Sequence, residues 1–302
     1  MRASFVTYDV FTSRPFAGNP LLVVPDARGL SAREMQSIAR EINFSESTFV
    51  LPADDPSRAY RQRTFVPLKE IPYAGHPTVG TAFAMAESGR LGSLPEGWSR
   101  RTIEVGFGPL GLDLLVEGGR LVRVRMEQGA PSWGEPLRAP ADLEEIAAAA
   151  GVPVQALEGP LAPQVVSTGN RILIVPVRDA GDLASASPDP RRLLALERCH
   201  DVLVVYLFTA GAAPGRMHAR GFCTGAGVPE DPATGSAAGP LGVYLLLHDA
   251  LPGGARRFVV DQGAEMGRPS EIEVEAEGEP GAPTAARVAG TAVRVMEGTV
   301  GL

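Results

Sequence analysis

Cysteine is scarce in this chain: Cys199 and Cys223 are the two present in 302 residues. They are too few for a disulfide framework and lack the repeated Cys/His spacing of a structural zinc site, so a reducing compartment fits. His200, His218 and His248 likewise lack partners at metal-ligand spacing, and no metal site is expected. Clustered positive charge is missing too. The net charge is −7 with basic residues scattered along the sequence, which leaves no phosphate-tracking patch and no expectation of nucleic acid as a partner. The longest apolar stretch, around residues 236–247, is too short to span a bilayer, and MRASFVTYDVF alternates like a strand instead of carrying a signal-peptide core. The expectation is a cytoplasmic protein without membrane partners.

Apolar residues make up 44% of the chain, enough for one large domain or two of roughly 120 to 180 residues. The 35 glycines and 27 prolines imply many turns and favour a strand-rich protein. Alternating or apolar runs predict strands from the N-terminus onward, beginning with FVTYDV and LLVVP and continuing through STFVLPA and YRQRTFVP. Ser31 and Glu34 carry a capping-box signature, followed by Met35, Ile38, Ala39 and Ile42 on one helical face up to Asn43. Gly118-Gly119 joins LGLDLLVEG to LVRVRME in hairpin fashion. The second half repeats this grammar, and Arg220-Gly221-Phe222 precedes its glycine-rich segment much as Arg63-Thr64-Phe65 precedes that of the first. The expected division is 1–118 and 119–302, with the packing of the last strand against the N-terminal half left open.

The most telling feature is a doubled segment, AGHPTVGTA at 74–82 and EDPATGSA at 230–237. Aligned by their ionisable residue and proline, His76 lies over Asp231, and helices are expected to open at His76-Pro77 and Asp231-Pro232. A helix N-terminus carries unpaired N–H groups and the positive end of the helix dipole, so Gly75, His76, Gly235 and Ser236 are candidates to bind a carboxylate. Ordinary capping and helix packing explain the same residues, and Asp231 is equally readable as an N-cap. Glu46 lies in NFSESTF, where hydroxyls including Ser45 could orient its carboxylate for proton transfer, although an exposed loop glutamate fits the local sequence as well. His76 is suited to proton transfer near neutral pH. Asn19 in FAGNP could offer its amide to a ligand and Arg268 its charge to a carboxylate, but turn chemistry accounts for both.

Taken together, YDVFTSRPFAGNPLLVV, NFSESTFV, RTFVPLKEIPYAGHPTVGTA, GVPEDPATGSA and QGAEMGRPS resemble, in order and over nearly the whole chain, the PhzF-like isomerases of the diaminopimelate-epimerase-like superfamily. The resemblance implies an α+β fold of two pseudo-symmetric halves, each a β-barrel-like sheet around a central helix, with the active site between them. It implies a cofactor-independent isomerase of a small unsaturated or cyclic carboxylic acid that forms a homodimer, with Glu46 as principal acid/base, His76 and Asp231 assisting, and Asn19, Ser45, Gly75, Gly235 and Ser236 holding the substrate. Racemases of the superfamily use paired cysteines where this chain has Ala74 and Ala233, and alanine can neither remove nor return a proton. An epimerase using Glu46 with Asp231 or His76, and a non-catalytic acid-binding protein, are the alternatives. Pro77, and the bulkier IPY stretch that includes Tyr73, are departures that could reshape the pocket.

Overall fold

The alternation at the N-terminus forms β1 (Arg2–Val10), the first strand of a computed structural model that describes residues 2–72 and 74–301. The chain continues through β2 (Asn19–Val24), α1 (Ala32–Ile42), β3 (Glu46–Leu51), β4 (Arg61–Phe65), β5 (Glu70–Ile71), α2 (Gly75–Glu87), β6 (Gly97–Val105), β7 (Gly108–Glu117) and β8 (Arg120–Glu127). The second stretch holds β9 (Ser132–Trp133), α3 (Pro140–Ala150), β10 (Gln164–Ser167), β11 (Arg171–Pro176), α4 (Ala180–Ser185), α5 (Pro190–His200), β12 (Val204–Ala210), β13 (Arg216–Cys223), β14 (Val228–Asp231), α6 (Gly235–Leu247), β15 (Arg257–Gln262), β16 (Ser270–Glu279) and β17 (Ala282–Gly290). The last strand, β18 (Ala292–Gly301), pairs antiparallel with β1.

The chain forms two compact units, Met1–Glu127 with Ala289–Leu302, and Gln128–Val288. The division expected after residue 118 falls in the turn between β7 and β8, whereas the units divide after Glu127. The reason is the hairpin itself: β8 pairs antiparallel with β7 and therefore stays with it. Gly118 and Gly119 both have positive φ, the conformation required by the tight two-residue turn.

In the first unit β18, β1, β2, β3, β4, β6, β7 and β8 pair in succession, with β2–β3 and β4–β6 parallel and the other pairs antiparallel. This sheet surrounds α2, which packs against β1, β2, β3, β8 and β18. Residues 75–85 of α2 are buried on every side, so the helix lacks the polar stripe of a surface helix. Gly80 permits that fit, since a Cβ there would stand 2.6 Å from Leu21 Cδ2 and 2.7 Å from Val10 Cγ2. On the outside, α1 shows the capping box expected from Ser31 and Glu34 and ends at Asn43 in the left-handed conformation. Its Met35, Ile38 and Ala39 pack with Leu22, Val24 and Phe49.

The second unit repeats the plan with β9, β10, β11, β12, β13, β15 and β16 pairing in succession and β14 added to β13. Its central helix is α6, apolar on nearly every face and packed against β10, β11 and β16. Gly242 meets Val274 there, with 2.8 Å between a notional Cβ and Val274 Cγ1. Helices α3 and α5 cover another apolar cluster formed by residues that include Ile146, Leu173, Leu193 and Val205. Among the described residues, no helix is long and apolar enough to cross a membrane.

The helix starts correct the alignment of the doubled segment. Helix α2 begins at Gly75, with Ala74 as N-cap, so His76 is inside the first turn. Helix α6 begins at Gly235, with Thr234 as N-cap, and Asp231 ends β14. Asp231 is therefore not a helix cap: pairing of Asp231 with Gly221 keeps it in the sheet, and Pro232-Ala233 makes the passage to the helix.

Candidate active site

Three elements of the first unit bring their ends together. Strands β2 and β3 run parallel in the register Leu21↔Glu46, which places the beginning of β2 near Glu46, the first residue of β3. Asn19, fully buried at the start of β2, accepts a hydrogen bond through Oδ1 from Ser45 Oγ at 2.9 Å. Just before it, buried Asp9 shapes the PFAGNP loop by accepting the Phe16 N–H at 2.6 Å. Gly18, at φ +63°, is confined by Val10 O at 2.3 Å from a notional Cβ, so the approach to Asn19 requires glycine.

Glu46 Oε2 lies 3.0 Å from His76 Nδ1. The side chains are 17% and 2% exposed respectively, so Glu46 reaches solvent while His76 is enclosed. This is neither an exposed loop glutamate nor a surface capping histidine. The other ring nitrogen, His76 Nε2, is buried without a hydrogen-bond partner among the described residues. With Nδ1 facing a carboxylate, Nε2 is the atom left to exchange a hydrogen bond with a ligand. Burial of such an atom without a partner carries a desolvation penalty of about 1–3 kcal/mol, which a bound polar group would relieve.

The start of α2 carries no side-chain cap: Ala74 supplies none, and the first turn carries no acidic side chain. Thr78 Oγ1 donates back to Ala74 O at 2.8 Å and accepts from Gln62 Nε2 at 3.3 Å, so its hydroxyl does not satisfy the leading N–H groups. The approach from Tyr73 lies outside the described residues.

The second unit gathers Asp231, Gly235 and Ser236 at the β14–α6 connection. Asp231 is 6% exposed and accepts the Thr234 hydroxyl through Oδ2 at 2.8 Å. Behind this pair, Tyr206, Gln262 and Ser270 form a buried polar cluster. The Tyr206 phenol is pushed well up by burial, with the Asp231 carboxylate adding to the effect, and it remains protonated. The sequence motifs include Thr234 and Gln262 but assign neither a role of its own, and they leave out Tyr206. A usable signal was present at Thr234, a capping residue immediately before the helical glycine, and at Gln262 beside the Gly263 turn.

Other predicted or ionisable groups have separate roles. Cys199 is exposed at the end of α5 and Cys223 is buried at the end of β13, outside both doubled segments. His218 Nε2 lies 3.0 Å from Glu265 Oε1 in the second unit. The Glu265 hydrogen bond pushes His218 up despite opposing burial. For Glu265, burial acts upward but is outweighed by its bonds, including that to His218, and its carboxyl is held below the usual range.

The family model described as phenazine biosynthesis-like protein, PhzC-PhzF, matches residues 8–298. The chain belongs to this family. It is 38% identical over 296 residues to the trans-2,3-dihydro-3-hydroxyanthranilate isomerase of Pseudomonas aeruginosa, covering 97% of this chain and 98% of that protein. A crystal structure of a PhzF-family phenazine biosynthesis protein from Bacillus anthracis has a TM-score of 0.85 and 31% identity, with complete coverage of both chains. A probable proline racemase from Agrobacterium radiobacter has a TM-score of 0.69 and 15% identity, covers 99% of this chain and 93% of its own, and shares the fold. The protein is an isomerase of the PhzC-PhzF family with the α+β, epimerase-like fold and a small-molecule substrate.

Proposed function

We propose that this isomerase moves a proton and a double bond within a small unsaturated or cyclic carboxylic acid, without a cofactor, using Glu46 as acid and base. The observation that carries the reading is the Glu46–His76 contact at 3.0 Å, with His76 Nε2 buried and unpartnered among the described residues. Ionised Glu46 removes a proton from a carbon activated by conjugation. The C–H electron pair forms a new double bond while the existing one shifts, and Glu46 returns the proton at the far carbon. The proton count is unchanged. His76 Nδ1–H holds the carboxylate in place, and Nε2 exchanges a hydrogen bond with the substrate.

Asn19 and Ser45 fix the neighbouring strand ends, while Gly75 offers backbone N–H to substrate. In the second unit, Asp231 assists proton transfer, and Gly235 and Ser236 at the uncapped start of α6 bind the carboxylate. The two-cysteine chemistry of racemases is excluded at the corresponding positions, because Ala74 and Ala233 carry no ionisable group. A cytoplasmic homodimer is part of the same proposal, its oligomeric state readable from the mass in solution.

The name of the Pseudomonas aeruginosa relative supplies the first compound to assay, trans-2,3-dihydro-3-hydroxyanthranilate. The expected result is a change in the ultraviolet spectrum and incorporation of solvent deuterium at the receiving carbon. Stereoinversion with an unchanged spectrum would replace double-bond migration with epimerisation. Protection from heat by the ligand without any turnover would instead support a binding protein.

A further inference from the structure

The cluster behind Asp231 has hydrogen-bond directions fixed by chemistry. Tyr206, Gly221 and Asp231 are cross-strand neighbours on β12, β13 and β14, while Gln262 ends β15 opposite Ser270. Gln262 is 2% exposed and makes bonds through both ends of its amide. The Thr234 backbone N–H, which can only donate, lies 3.1 Å from Oε1. The Asp231 backbone carbonyl, which can only accept, lies 2.7 Å from Nε2. These two groups settle which end of the amide is oxygen and which is nitrogen. Tyr206 OH then donates to Oε1 at 2.8 Å, consistent with a phenol kept protonated by burial.

The remaining Nε2 hydrogen points at Thr234 Oγ1, 2.9 Å away. Thr234 must accept there, so its single hydroxyl proton is committed to Asp231 Oδ2 at 2.8 Å. This commitment also explains a local anomaly. Thr234 stands at the N-cap of α6, where a threonine hydroxyl ordinarily accepts a helix N–H, yet it makes no side-chain cap. The space is built for this arrangement: a Cβ on Gly221 would stand 2.7 Å from Thr234 Oγ1 and 3.2 Å from Gln262 Nε2.

We infer that Gln262 is a positioning residue, which sets the direction of the Thr234 hydroxyl and thereby holds the Asp231 carboxylate in one orientation while leaving the start of α6 uncapped. This inference rests on the proposed use of Asp231 and of the α6 N-terminus in the reaction. Gln262 touches neither substrate nor reacting atoms in this role. It acts through Thr234, and its amide matters because it donates and accepts in a fixed order.

The test combines structures with kinetics on trans-2,3-dihydro-3-hydroxyanthranilate. In a ligand-free crystal structure of Gln262→Met, the Thr234 hydroxyl is expected to turn from Asp231 and cap α6. The kcat is expected to fall on the order of ten- to a hundredfold, as for a catalytic group displaced from its working geometry, with KM changing less. Thr234→Val should show a similar loss, Thr234→Ser should retain activity, and the double variant Gln262→Met/Thr234→Val should be little worse than either single change. Thr234→Val, nearly isosteric, carries the test should Gln262→Met not fold. An unchanged Thr234–Asp231 contact in Gln262→Met overturns the inference irrespective of turnover. So does full kcat in Thr234→Val beside an impaired Asp231→Asn enzyme. Full kcat in Asp231→Asn itself removes the underlying assignment of Asp231, and the inference falls with it.

Discussion

The segments Ala74–Ala82 and Glu230–Ala237 share a written pattern but place their ionisable residues differently. His76 is inside the first turn of α2, buried and against Glu46. Asp231 ends a strand before α6 begins, and its carboxylate receives a hydroxyl proton from the helix N-cap. Pro77 falls within a helix already under way, whereas Pro232 belongs to the strand-to-helix passage. The pattern therefore marks two entries into a buried helix, while sheet pairing determines what each ionisable group can do. In the first unit a histidine is joined to a carboxylate; in the second a carboxylate accepts a threonine hydroxyl.

Among changes that compare the two segments, the largest expected effect comes from replacing these groups. His76→Asn and Asp231→Asn should each lower kcat, with His76 the more severe at about 10²-fold, within the usual range for an acid/base group. Steady-state rates on trans-2,3-dihydro-3-hydroxyanthranilate check the order, and a greater loss in Asp231→Asn would reverse the proposed ranking of the two segments.

A smaller effect tests whether the two central helices are equally tightly held. Gly80→Ala puts a methyl group against Leu21 and Val10, and Gly242→Ala puts one against Val274. Each is expected to destabilise the fold by about 1–3 kcal/mol, the cost of overpacking a core. Gly80→Ala should be the worse because two buried side chains must move. Chemical denaturation midpoints measure this, and equal stability to the parent protein would mean that the neighbouring side chains yield freely.

The smallest effect concerns a second histidine–carboxylate pair. His218 is raised by Glu265 and Glu265 is held low, so their mutual stabilisation is greatest between the two titrations. It fades as pH rises through the folded-state value of His218, because the proton that the folded protein held more tightly is lost. It also fades as pH falls through the folded-state value of Glu265. His218→Gln should flatten both limbs of the melting-temperature profile. An unchanged profile would show that this pair has no electrostatic consequence for stability.

Much of the framework was legible locally. Ser31 and Glu34 announced α1, Asn43 its end, and Gly118-Gly119 the β7–β8 turn, since each signal acts within a few residues. The two buried helices were legible from their small and apolar residues. The start of α6 was misread because Asp231-Pro232 satisfies local rules for a helix opening, while its pairing with Gly221 is set by a distant strand. Strand β17 has a weak local signal, because APTAARVAG is rich in alanine and interrupted by proline. Glu46 and His76 were each nameable, but their contact depends on the parallel register of β2 and β3 and the placement of α2. The amide of Gln262 gains its meaning from groups on two other strands and a helix cap, information that no short sequence window contains.

The most direct test of the central claim is solvent-deuterium incorporation into trans-2,3-dihydro-3-hydroxyanthranilate and its product, compared between the parent enzyme and Glu46→Gln. The account predicts that this substitution reduces incorporation by about 10²–10⁴-fold while the protein remains folded, because glutamine cannot take the proton. Undiminished incorporation by folded Glu46→Gln would contradict the assignment of Glu46 as the base.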